Sequence, residues 1–265
     1  MSNDDTMIET DGYQEKLTGQ EVTERVAARL GVQWNIECIY SEETNGPEIE
    51  VDRQQRIHRI FFPAAAEGHE NEYIGDFAHE CGHALLAEKY DTLFGAPFAN
   101  PDNNLARHDL ESELAHGMHA IVDTWVSDAV YEIQPQWVTG MLRDSLEGCL
   151  ETSPEEYFSM GQYGPLGYAL ALADCDRRQL RQFQPACQEI EMMIRQVYGD
   201  DEWQLMKRLK NVFRRAPRLK PGDWKGSLDA LETQGQKVLR LLQAPILPTI
   251  ARDAQGHNSY YEIET

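Results

Sequence analysis

The stretch Asp76-Phe77-Ala78-His79-Glu80-Cys81-Gly82-His83-Ala84-Leu85-Leu86 decides how the rest of the chain is read. It falls within a segment of helical character running from Asn71 to about Tyr90, closed by Gly95-Ala96-Pro97. On a helix, His79 and His83 stand about one turn apart on the same face, so both imidazoles can hold one zinc ion. Glu80 lies about 100° further round, close enough to take a proton from a water on that ion. The flanks suit an interior helix. Ala78, Cys81, Gly82, Ala84 and Leu85 are uncharged, and no further charge appears until Glu88. A surface helix with an incidental His and Glu would carry charges at some of those sites. Cys81 is expected as a buried core thiol and not a ligand, and Gly82 as a point of close approach by a neighbouring element.

Upstream, residues 1–15 read as an acidic flexible tail. The run TGQEVTERVAARLG from Thr18 has the pattern of a capped amphipathic helix ended by Gly31. VQWNIECIY (32–40) alternates as a strand does, PEIEVD (47–52) and RIHRIFF (56–62) follow as two more, and Pro63 stops the last. Asn45-Gly46 is a turn candidate between the first two strands.

Downstream, FANPDNNLAR (98–107) reads as a loop and a long helix is expected from about Asp109 to Ile133, before Pro135. Helices are then expected at roughly 136–150, 154–160, 165–183, 186–198, 201–214 and 226–243. Pro245 and Pro248 end the last, and HNSYYEIET is expected to be loose. The fold class is α+β: tail 1–15, a metal-binding core 16–135, a helical subdomain 136–245 completing a cleft, and a C-terminal tail 246–265.

The motif His79-Glu80-Cys81-Gly82-His83 resembles the HExxH signature of the zincin metallopeptidases. That resemblance covers about residues 18–135. It implies a small sheet, an HExxH helix beneath it and a later helix supplying a third ligand. It further implies His79 and His83 as zinc ligands, Glu80 as general base, and hydrolysis of peptide bonds. The metzincin extension is absent, because LLAEKYD occupies the stretch where a third His would stand.

The long helix DLESELAHGMHAIVDTWVSDAVYEI is therefore the source to search. At 100° per residue, Leu110, Leu114, Met118, Ile121, Trp125, Ala129 and Ile133 form an apolar face, and His116, His119 and Asp123 form a stripe bordering it. Two assignments compete. Asp123 is the ligand, with His116 and His119 at the entrance; or His119 is the ligand, with Asp123 orienting its ring. The run IVDTWVSD (121–128) is similar to a helix of bacterial HExxH proteins in which an Asp stands at the position of Asp123, which favours the first. Glu111, Glu113 and Asp128 are expected as solvated or capping acids.

Other features have plainer explanations. EGCL (147–150) is similar to a box of the peptide deformylases, but it follows HExxH where theirs precedes it. WQLMKRLKNVFRRAPRLKPG (203–222) carries seven basic residues and no acid, and is expected to pair with the acidic remainder of the chain. Tyr157, Tyr163, Tyr168 and His108 are candidate donors to an oxyanion, with core packing the competing role for the tyrosines.

Composition bounds the partners. With 45 acidic against 24 basic residues and a net charge of −21, a protein that coats nucleic acid or an anionic membrane is disfavoured. The acidic N-terminus differs from a secretory signal, and five scattered cysteines without a CxxC pair suit a reducing cytoplasm. The sequence points to a cytoplasmic Zn²⁺-dependent metallopeptidase acting on a peptide or protein. The alternative is a zincin-like metal-binding regulatory or interaction module with little hydrolysis.

Overall fold

Helix α1 (Gly19–Leu30) opens on a reciprocal cap: Thr18 Oγ1 accepts the Glu21 N–H, and the Glu21 carboxylate accepts the Thr18 N–H at 2.8 Å. Gly31, at φ 86°, ends it in the left-handed conformation that glycine adopts without strain. The computed structural model describes residues 17–44, 46–95, 108–159, 164–244, 246–252 and 256–264, and of 108–115, 246 and 261–264 the backbone only. The expected tail 1–15, Asn45, the loop 98–107 and Tyr163 lie outside the described residues, as do the side chains of His108, Leu110, Glu111, Glu113 and Leu114.

Three strands follow: β1 (Asn35–Ser41), β2 (Glu48–Asp52) and β3 (Ile57–Pro63). The sheet order is β1-β3-β2, with β1 parallel and β2 antiparallel to β3. On the central strand, His58, Ile60 and Phe62 are fully buried, so one face of the sheet is sealed against helices.

Helix α2 (Ile74–Lys89) packs on that sheet and is fixed at both ends. Phe77 stacks on Phe62 of β3 with ring centroids 4.0 Å apart. At the other end the Glu88 carboxylate accepts the backbone N–H groups of Gln33 and Trp34, each at 2.8 Å, and pairs with His58 Nε2 at 3.0 Å. The first charge after the motif is thus an internal anchor. Ala78 and Cys81 through Ala87 are buried, as the uncharged flanks predicted.

Helix α3 (His108–Ile133) crosses α2 at Gly82. A Cβ on Gly82 would lie 2.7 Å from Val126 Cγ1 and 2.8 Å from Val130 Cγ2, so glycine is what lets the two backbones come this close. The expected one-sided apolar face is exceeded: Met118, Ile121, Val122, Trp125, Val126 and Val130 are all buried, making α3 the central helix of the core. Helices α4 (Pro135–Glu151), α5 (Pro154–Ser159), α6 (Gly164–Arg178), α7 (Gln184–Met193), α8 (Asp200–Arg214) and α9 (Trp224–Leu241) complete the body, near the positions expected from sequence. The chain is α+β. Among the described residues no helix is long and apolar enough to cross a membrane.

Two expectations are corrected. The C-terminal segment is no loose tail: β4 (Ile246–Arg252) and β5 (Asn258–Glu264) pair as an antiparallel hairpin. Proline 248 does not forbid this, because a missing N–H is tolerated on an edge strand. Helix α9 secures that strand: Glu232 accepts the Ile250 N–H at 2.6 Å, and Gln236 donates to the Pro248 carbonyl at 2.9 Å. Asp128 is no solvated acid either. It is buried and held by Arg177 (2.6 Å), Arg178 (3.1 Å) and Arg218 (2.9 Å).

The basic segment 203–222 pairs inward as expected at two places, Arg218 on Asp128 and Lys210 on Asp176 and Glu191.

Candidate metal centre

Where α2 and α3 cross, two pairs of side chains one turn apart face one another: His79 and His83 from α2, His119 and Asp123 from α3. Their donor atoms converge. His79 Nε2 and His83 Nε2 are 3.3 Å apart, and Asp123 Oδ1 lies 3.5 Å from the first and 3.2 Å from the second. His119 Nε2 is also 3.2 Å from the same oxygen. Asp123 therefore reaches both HExxH histidines, and His119 groups with His83 and Asp123.

The orientation is that of donors sharing a centre. Asp123 Oδ1 is buried, yet it is aligned for a hydrogen bond with none of the three imidazoles around it. A buried carboxylate oxygen without a hydrogen bond is costly, and a cation at the common point would offset that cost. The spacing also fits zinc. Tetrahedral ligands at 2.0–2.1 Å from the ion are separated by about 3.3–3.4 Å, and the triangle of His79 Nε2, His83 Nε2 and Asp123 Oδ1 has edges of 3.3, 3.5 and 3.2 Å. The donor set, two imidazoles and a carboxylate, is one that zinc accepts.

The surroundings fix the ligands. His83, fully buried, donates from Nδ1 to the Phe94 carbonyl at 2.8 Å, which leaves Nε2 as the lone-pair nitrogen facing the centre. Phe94 belongs to a single 3₁₀ turn, Thr92–Phe94, held by Asp91, whose Oδ1 accepts the Leu93 N–H at 3.1 Å. Asp91 Oδ2 in turn accepts from Asn258 of β5 at 2.7 Å. The C-terminal hairpin thus braces the turn that orients His83. Sequence inspection missed Phe94 because a backbone carbonyl has no residue signature, and missed Asn258 because 167 residues separate it from Asp91.

Glu80 is buried, 5% exposed, and accepts no hydrogen bond from the described residues. Burial pushes its carboxyl above the usual range, although His83 and His79 pull the other way. Burial works against a proton on His79, but Asp123 beside it outweighs that and raises its pKa to about 9. Burial alone would raise Asp123, but the imidazoles around it, His119 foremost, hold it well below the usual carboxylate range. Asp123 is therefore a carboxylate and hence a competent ligand.

The remaining candidates fall elsewhere. His116 lies on the same stripe one turn before His119 and is exposed. Tyr157 donates to Glu202 at 3.0 Å and Tyr168 to the Cys149 carbonyl at 3.0 Å; both are buried packing residues and not oxyanion donors. Cys81 is fully buried, with Sγ 3.8 Å from the Thr23 carbonyl, and Cys149 of the EGCL run lies on α4 outside the histidine cluster. Compared with family models, with curated proteins and with solved structures, the chain matches none.

Proposed function

We propose that this chain is a zinc-dependent peptidase of zincin type, hydrolysing peptide bonds of a peptide or protein substrate in the cytoplasm. The observation that carries the proposal is the triangle of His79 Nε2, His83 Nε2 and Asp123 Oδ1, with edges of 3.2–3.5 Å around an oxygen that has no hydrogen bond. Those three residues would hold Zn²⁺, which supplies Lewis acidity that acidifies water and polarises a scissile carbonyl. Glu80, adjacent to His79 and without a competing hydrogen bond among the described residues, takes the proton of the attacking water and returns it to the leaving amine. Its raised proton affinity suits both halves of that task, because the carboxyl must hold a proton between the two transfers. Asp123 assumes the third-ligand role, and His119 stands at the mouth, 40% of its side chain exposed.

The order small sheet, HExxH helix, ligand-bearing helix agrees with a zincin-type core. The test is zinc-loaded protein assayed on an unstructured protein substrate, beside Glu80→Gln. Activity in the wild type that disappears in the variant while zinc content holds supports the peptidase. Equal rates in the two proteins would sink it. One observation favours a second reading, a metal-holding interaction module with little hydrolysis: a fourth donor, His119, reaches the same oxygen at 3.2 Å. An open position is what catalytic zinc needs and structural zinc lacks.

A further inference from the structure

The fourth donor has the same relation to Asp123 Oδ1 as the other histidines. His119 Nε2 lies 3.2 Å from Asp123 Oδ1, the distance at which His83 Nε2 also stands, and the His83 and His119 ring centroids are 4.8 Å apart against 4.9 Å for His79 and His83. A carboxylate that merely orients a ligating histidine bonds to the nitrogen facing away from the metal and keeps clear of the other ligands. Asp123 Oδ1 instead touches the Nε2 atoms of all three rings. His119 is thus directed at the same oxygen as His79 and His83, and it groups with His83 and Asp123 as a possible ligand set. It is also the outermost of the four: its side chain is 40% exposed, against 15% for His79, 0% for His83 and 18% for Asp123.

We infer that His119 is a fourth, displaceable zinc ligand, which closes the coordination shell in the resting protein and leaves it when a substrate carbonyl or similar oxygen donor arrives. This rests on the zinc reading above and adds a regulation to it. Three ligands are confined: His83 by the Phe94 carbonyl and full burial, His79 and Asp123 by the α2–α3 crossing at Gly82. His119 has the most solvent beside it, so rotation about its side-chain bonds opens the site without moving a helix. The resting protein is then latent, and the energy of binding substrate must cover the loss of one imidazole. The same feature reconciles a four-donor cluster with a general base waiting beside it, because the closed shell is one state of an enzyme and not a permanent structural site.

X-ray absorption of the zinc-loaded full chain counts imidazoles directly. Three in the wild type and two in His119→Ala are expected, with zinc retained in both. Acetohydroxamate, a small bidentate oxygen donor, should bind the cobalt-substituted His119→Ala protein at least about tenfold more tightly than cobalt-substituted wild type, read from the visible spectrum, because no protein ligand has to leave. His119→Gln, closer in size, guards against a collapsed pocket and should behave as the Ala variant does. Two imidazoles in the wild type, or equal acetohydroxamate affinity in wild type and both variants, would overturn the fourth ligand while leaving the zinc site standing. A wild-type chain that takes up no zinc would overturn the zinc reading itself.

Discussion

Helix α3 carries two aspartates five residues apart, Asp123 with a buried Oδ1 and Asp128 buried whole, and their surroundings are opposites. They point about 140° apart around the helix, Asp123 toward α2 and Asp128 toward α6. Asp128 meets cations that match it. Arg177 donates to both of its oxygens, Arg178 and Arg218 add bonds at 3.1 and 2.9 Å, and Arg177 goes on to donate to the Arg214 and Ala216 carbonyls at the end of α8. Asp123 meets the Nε2 atoms of three imidazoles at 3.2–3.5 Å, and Oδ1 has no aligned hydrogen bond. A buried acid with its bonds made is a fastener between elements. An acid whose buried oxygen is ringed by imidazoles without pairing has the arrangement expected of a metal ligand.

The sharpest way to break this contrast is to remove each acid and measure both metal and stability. Asp123→Ala, like His79→Ala, should lose bound zinc, measured as metal per chain after dialysis. The affinity loss should exceed the roughly 10–100-fold that an outer partner costs. Full zinc occupancy in either variant would end the metal interpretation. Glu80→Gln should keep zinc and lower peptide hydrolysis by about 10²–10⁴-fold, the usual worth of a general base.

Asp128→Ala should do the reverse of Asp123→Ala. Removing one partner of a buried ion cluster costs about 3–5 kcal/mol, so denaturant unfolding should show a large loss while the folded fraction still binds zinc. A stability change below about 0.5 kcal/mol would mean that the arginines find water instead and that the cluster fastens nothing.

The smallest effect concerns the metal-free protein. His79 holds its proton up to about pH 9 beside Asp123, against an ordinary value of 6.5. A raised pKa gives stability that is complete below pH 6.5 and lost as pH climbs toward 9, by at most about 1.4 kcal/mol per pH unit. Unfolding of the metal-free chain across that window should show the decline. Asp123→Asn should flatten it and Asp128→Asn should leave it, a difference that separates the two acids without any metal present.

Much of the site was legible in the residues. His79 and His83 at i and i+4, Glu80 beside the first, and uncharged flanks mark a candidate metal-binding helix by periodicity alone, and the helix was found buried as those flanks required. The stripe His116, His119, Asp123 narrowed the search for a third ligand to one helix face. It favoured Asp123 over His119 without settling the choice, because that depends on where α3 crosses α2. The crossing is set by the absence of a side chain at Gly82 and the shapes of Val126 and Val130. Asp128 was misjudged for a related reason: its partners Arg177, Arg178 and Arg218 lie 49 to 90 positions away, beyond any local pattern. The C-terminal hairpin was missed because Pro245 and Pro248 read as terminators, and the α9 side chains that secure β4 become visible only once α9 is docked beside it.

By itself the sequence determined most of the helices and the first three strands and the HExxH pair with its neighbouring glutamate, because each follows from periodicity. The tertiary structure decided what those elements converge on. Two helices crossing at a glycine bring three imidazoles around one carboxylate oxygen, a distant turn and hairpin fix one of them, and a cluster of arginines occupies the other acid. Convergence of that kind depends on the packing of distant elements, and local residue patterns carry no record of it.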